Sequence, residues 1–133
     1  MRRSSSASAK GNYRHASFHL NQATEAAYKC ILLVHTLYCP QEHRLAYLAE
    51  EAADYGPVFH DIFPQETKQQ HDLFELLDNA YIAGRYRMGF NVDHEHLGYL
   101  APRVKQLLAV AEKLCRREIE TLAAKAADDQ SRA

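Results

Sequence analysis

Three consecutive positions carry the most chemistry in this chain: Arg85, Tyr86 and Arg87, two guanidinium groups with a phenol ring between them. Guanidinium forks bind phosphate oxygens two at a time, and an aromatic ring offers a face on which a base can stack. The same residues have a plainer use, in which Arg85 pairs with an acid such as Glu25 and Tyr86 covers the core. The two uses are compatible. Six residues separate Arg87 from His94, which with His96 follows Asp93 at the start of the next helix. First-turn histidines beside a helix cap are common, and on spacing alone they need no chemical role. A second set, His19, Gln22, Glu25 and Lys29, steps by three or four and forms a polar line along one helix. That line is either the solvated edge of a core helix or one wall of a groove that binds something.

Metal and cofactor chemistry find little support. His94 and His96 stand two apart, which a helix splays by roughly 200°. His43, His60 and His71 have no ligand-like spacing. The chain has no GxGxxG, no phosphate loop of the Walker type, and no Ser or Cys nucleophile with a base in pattern. No cofactor and no metal are expected.

These residues must be positioned by helices. From Phe18 to Val34, the residues Phe18, Ala23, Ala26, Ala27, Cys30, Ile31 and Val34 recur at three- and four-residue steps, with Leu37 following, and predict a buried stripe. The first helix is expected over 13–38, with Asn12 as cap and Cys39-Pro40 as breaker. A second is expected over 41–55, carrying Leu45, Leu48, Ala49 and Ala52 inward and stopped by Gly56-Pro57. Residues 58–64 read as a loop or single turn lidding one end. A third helix is expected over 66–84 on Leu73, Phe74, Leu77, Ala80 and Tyr81. A loop over 85–92 follows, pivoting at Gly89. Asp93 then caps a last helix over 94–125, whose Leu97, Leu100, Val104, Leu107, Ala111 and Leu114 form a heptad-like seam. At 1.5 Å per residue that helix is on the order of 45 Å long. The fold class is all-α, an up-down antiparallel helical bundle of four-helix type.

Composition agrees with a single domain. The 133 residues suffice for one core and not two. Sixteen basic against seventeen acidic residues give a net charge of −1, so a nucleic-acid site must be a local patch. Three cysteines without CxxC spacing point to a reducing compartment, with Cys30 and Cys115 as small hydrophobes and Cys39 beside Pro40. No apolar run approaches the ~18 residues of a membrane span, and the first ten residues lack a signal peptide's apolar stretch. The chain reads as soluble and cytoplasmic. Residues 1–12 form a basic, serine-rich arm expected to be disordered, residues 13–125 the bundle, and residues 126–133 a frayed tail.

The segment His19–Lys29, HLNQATEAAYK, resembles the signature of the HEPN family, helical domains named for nucleotide binding in higher eukaryotes and prokaryotes. Asp78–Tyr86, DNAYIAGRY, resembles that family's Ala-Arg-Tyr-like element. DIFP at 61–64, FELL at 74–77, RVKQL at 103–107 and CRREI at 115–119 also fit, so the resemblance covers about residues 11–122. It is strongest to the branch found fused to, or encoded beside, minimal nucleotidyltransferases. Such domains usually begin with another long helix, which is absent or truncated here. The uncovered stripe would then favour a homodimer.

The resemblance implies three functions. The first is a nucleotide- or RNA-binding companion of a minimal nucleotidyltransferase, using Gln22, Glu25, Lys29, Arg85, Tyr86 and Arg87, with the polar line facing the same end of the bundle as the 85–96 loop. The second is a metal-independent ribonuclease, the toxin of a toxin-antitoxin pair. Ribonucleases of the family are similar in carrying Arg, four to six residues, then His, the arginine holding phosphate and the histidine moving the proton of the RNA 2′-hydroxyl. Arg87 and His94 meet that count and would be the catalytic pair. Arg85, which matches the Ala-Arg-Tyr-like element, is followed at that distance by Phe90, Asn91 and Val92, so the pair is shifted in register. The third is a pure protein-interaction module.

Overall fold

The computed structural model describes residues 5–80 and 93–132, with side chains over 12–80 and 93–131. It is an all-α helical bundle. Helix α1 spans Ser5–Thr36, α2 Leu45–Ala52, α3 Val58–Ile62, α4 Lys68–Asp78 and α5 His94–Arg132, and a 3₁₀ turn over Ala53–Tyr55 extends α2. The two long helices lie side by side and run in the same direction. Tyr13 meets His94 with ring centroids 6.4 Å apart near their starts, and Cys30 meets Cys115 farther along. The three short helices return the chain between them.

The buried seam of α1 is only partly the apolar stripe read from its sequence: Ala27 and Ile31 are in the core and Ala23 and Val34 pack against it, but the rest of the seam is rotated. Ser17, Asn21, Thr24, Tyr28 and Ile31 are the residues turned fully inward, whereas Phe18, Ala26, Cys30 and Leu37 are exposed. The seam is rotated because its first half is polar, and each polar group is satisfied where it lies. Ser17 donates to the Arg14 carbonyl at 2.8 Å, Thr24 to the Leu20 carbonyl at 2.7 Å, and Asn21 to α4. Burial of a hydrogen-bonded hydroxyl or amide costs little, so apolarity alone misjudges the inward face.

Helix α1 begins at Ser5 rather than at Tyr13, since Ala7, Ala9 and Lys10 are good helix formers that continue the run backwards. It stops at Thr36, ahead of Cys39-Pro40. Leu37 takes the left-handed conformation at φ 64° and bonds its N–H to the Leu33 carbonyl at 2.7 Å, while Thr36 Oγ1 accepts from the Tyr38 N–H at 3.1 Å. Glycine ordinarily fills this C-terminal position, because a Cβ there meets the following carbonyl. Leu37 is 80% exposed, so its side chain returns nothing to packing. Leu37→Gly is therefore expected to stabilise the fold by about 1 kcal/mol, measured by chemical denaturation.

Residues 41–44, expected to be helical, instead run outside any helix, and α2 starts only at Leu45. The stretch read as a lid is a helix of its own. Pro57 presets φ for the start of α3, whose Phe59 and Ile62 are buried, and Phe63 just beyond packs on Phe74 at a centroid distance of 5.3 Å. Gly56 permits this close turn, since a Cβ there would fall 2.9 Å from the Phe59 ring and 3.1 Å from Leu114. Thr67 and Gln70 form a reciprocal capping box, which moves the start of α4 to Lys68. Phe74 and Leu77 point inward from α4. On α5, Leu100, Val104, Leu107, Ala111 and Cys115 are buried, whereas residues 119–131 are all exposed.

Candidate functional site

Asn21 sits at the middle of the polar half of the α1 seam, fully buried. Its amide nitrogen donates to the Leu77 carbonyl at 2.9 Å and the Asp78 carbonyl at 3.3 Å, both at the end of α4. Its amide oxygen accepts from Gln22 at 2.9 Å. Asp78 passes the connection on. Its carboxylate accepts the backbone N–H groups of Leu45 at 2.6 Å and Ala46 at 3.2 Å, the first turn of α2, for which Arg44 supplies no side-chain cap. A negative charge at a helix N-terminus also suits the helix dipole. Two residues from two distant sequence segments thus pin three helices at one point.

One turn along α1, Glu25 is nearly buried and holds two partners on the same oxygen: Lys29 Nζ at 2.9 Å and His43 Nδ1 at 2.9 Å. His43 is presented by a tight clasp, in which Arg44 donates to Glu42 at 2.9 and 3.0 Å and draws its carboxyl down to about 2. The positive charge of Lys29 is therefore spent inside the molecule. Of the polar line, Gln22 is exposed and reaches outward from Asn21, while Glu25 and Lys29 brace α1 against the 41–44 turn. His19 faces away on the surface, its Nε2 3.0 Å from that of His15.

At the start of α5, Asp93 Oδ1 accepts the His96 backbone N–H at 3.0 Å, and His96 Nδ1 in turn accepts the Asp93 N–H at 3.2 Å. The bond from His96 holds the Asp93 carboxyl below its ordinary range. His94 is exposed beside Tyr13 and has no hydrogen bond among the described residues. It has the access that an acid or base requires. Arg85, Tyr86 and Arg87 lie outside the described residues, as does the rest of the 85–92 loop; so does Tyr81 of the predicted third helix.

Two cavities lie elsewhere and suit phosphate badly. One of about 440 Å³ between α1, α2 and α3 has Glu50, Asp61 and Glu66 in its wall and no Lys or Arg. Another of about 670 Å³ between α4 and α5 has one lysine, Lys68, already bound to Asp72 at 2.8 Å. Glu95 adds a further negative charge to it. Carboxylates without a cationic surplus repel an anionic ligand.

The residues the sequence reading missed are Asn21, Asp78 and His43. A signal existed for the first two. Both lie inside the two motifs quoted for the family, and both are turn-and-cap types poorly suited to the helix interiors assigned to them.

Fold and pins together define a class: an all-α helical bundle whose first helix is locked, through buried polar side chains, to the end of α4 and the start of α2. The chain belongs to the HEPN family, whose HEPN domain model matches residues 1–121. That family is known for nucleotide- and RNA-related function. Among curated proteins none matches the chain. No helix among the described residues is long and apolar enough to cross a membrane.

Proposed function

We propose that this chain is a nucleotide- or RNA-binding HEPN domain that acts as the companion of a minimal nucleotidyltransferase, with Arg85, Tyr86 and Arg87 contacting phosphate and base. One observation carries the reading. The segment holding those residues leaves α4 from Asp78, which Asn21 grips, and rejoins the bundle at Asp93 and His94 beside Tyr13. Both ends are thus tethered to α1, one at Tyr13 and the other at Asn21, next to exposed Gln22. Glu25 and Lys29 serve in this reading as the rigid wall behind Gln22 rather than as phosphate ligands. The acidic linings of those two cavities disfavour an anionic ligand there.

In such a pair the bundle holds substrate or partner, and the transferase does the chemistry; the role implies a cytoplasmic address. A homodimer fits the exposed apolar residues of the long helices, Leu33 on α1 with Leu108, Ile119 and Leu122 on α5. A second reading, the ribonuclease using Arg87 and His94, is favoured by the exposure of His94, which has no hydrogen-bonded partner among the described residues.

Incubation of the chain with a mixed RNA pool in EDTA, beside Arg87→Ala and His94→Ala, separates the two. Intact RNA in every lane, with retention of RNA by wild type and loss of retention in Arg87→Ala, is the expected result. Cleavage by wild type that both variants lose would replace the binding role with the nuclease. Intact RNA with no retention by any form would leave an interaction module and end the binding proposal.

A further inference from the structure

Cys30 and Cys115 belong to no part of the site described above. They face each other across the crevice between α1 and α5, far apart in sequence and 3.7 Å apart at sulfur, with the Cys115 thiol donating to Cys30. Ala26, Ala27 and Ala111 line the same crevice, and their small side chains let the two helices approach closely. A disulfide needs its sulfurs at about 2.05 Å, so a closure of about 1.7 Å joins them, within the reach of side-chain rotation. Cys30 is exposed at the mouth of the crevice and Cys115 is buried beneath it. Cys39, the third thiol, is exposed after α1, its sulfur 3.8 Å from the Pro40 carbonyl oxygen.

The geometry points to a reversible modification site: Cys30 and Cys115 form an intrachain disulfide by exchange with a small disulfide oxidant, and the bond clamps α1 to α5. The order of events follows from exposure. The Cys30 thiolate attacks one sulfur of the oxidant, forms a mixed disulfide and expels one small thiolate. Cys115 sulfur then attacks Cys30 sulfur and expels the second. The protons lost by the two protein thiols end on the two small thiols, so one disulfide is reduced and one is formed. Burial, with the bond to Cys30, pushes the Cys115 thiol up to about 12, which leaves the first attack to exposed Cys30; contact with the Cys30 sulfur, not acidity, is what places Cys115 for the second. Because the second step is intramolecular between groups already in contact, the pair outcompetes an isolated thiol for the same oxidant. The inference does not depend on the proposed binding role.

The test uses the full chain with oxidised and reduced glutathione at graded ratios, quenched by alkylation and mapped by peptide mass. The expected product is the Cys30 peptide linked to the Cys115 peptide at ratios where Cys39 is still mostly free thiol. Dithiothreitol should release it. Cys115→Ser should accumulate glutathione on Cys30, and the linked wild type should melt at a higher temperature than the reduced form. Three outcomes overturn the proposal: wild-type Cys30 resting as the mixed disulfide, a link through Cys39, or Cys30 staying reduced while Cys39 reacts. The wild-type mapping decides the matter even if the Cys115→Ser chain fails to fold.

Discussion

Tyr28→Ala is expected to cost about 3–5 kcal/mol of folding stability, while Tyr28→Phe leaves stability unchanged or raises it. Tyr28 is completely buried, and its ring packs edge-on against Phe59 at a centroid distance of 6.3 Å. Truncation to alanine removes the ring from the centre of the core, where α1 meets α2 and α3. The hydroxyl is a different matter, for it is buried with no hydrogen-bond partner among the described residues. Phenylalanine keeps the ring and removes a desolvated polar group, so the swap discards a cost rather than a bond.

The same burial pushes the Tyr28 phenol above its usual range, because the phenolate would be stranded in the core. The sign follows directly. A folded-state value above the unfolded one means a contribution fully present below pH ~10 and lost progressively as pH rises beyond it. Wild type should therefore lose stability above pH ~10 more steeply than Tyr28→Phe. Urea titrations of both proteins at pH 8 and pH 10.5 measure the difference. Equal losses at the higher pH would show that the phenol ionises as readily folded as unfolded, and a Tyr28→Phe chain less stable by more than about 1 kcal/mol at pH 8 would show that the hydroxyl has a partner.

Asp78→Ala is expected to destabilise the chain by about 2 kcal/mol, the upper range for a lost helix cap, since two backbone N–H groups of α2 lose a charged acceptor together. Asn21→Ala removes the other half of the pin and takes a buried side-chain donor from the Leu77 and Asp78 carbonyls, at about 1–3 kcal/mol. The two changes share one network, so the double variant should fall short of the sum by at least about 0.5 kcal/mol. Denaturant midpoints for the four proteins close the cycle, and strict additivity would refute a shared pin. Nucleotide binding should weaken in both single variants, although neither side chain contacts the ligand, because the α4 end of the 85–87 segment loses its anchor.

Much of the fold was legible in the sequence because its signals are local. The seam of Leu100, Val104, Leu107 and Ala111 follows from helical spacing, and Asp93 declared its cap by type and place. The Thr67–Gln70 box was equally local and passed unread, which put the start of α4 two residues early. The face of α1 was not legible from hydrophobicity, since Ser17, Asn21 and Thr24 go inward on hydrogen bonds whose acceptors include a helix 56 residues away. Nor was α3, a helix too short for periodicity to reveal. Its existence depends on Phe59, Ile62 and Phe63 finding α1, α4 and α5, a tertiary effect. At the site, the pairing of Glu25 with Lys29 followed from their four-residue step. His43 lay beyond inference, because only the return of the chain after Leu37 brings it back to α1.

The central claim, that Arg85 and Arg87 carry nucleic-acid binding, is tested most directly by fluorescence anisotropy with a short single-stranded RNA across a salt series. The account predicts binding by wild type that weakens with salt. In Arg85→Ala/Arg87→Ala, affinity should fall at least about tenfold and the log–log salt slope should flatten by about 1.4, roughly 0.7 for each single-strand phosphate contact removed. A double variant that binds with wild-type affinity and slope would contradict it, and would move the site off the segment between α4 and α5.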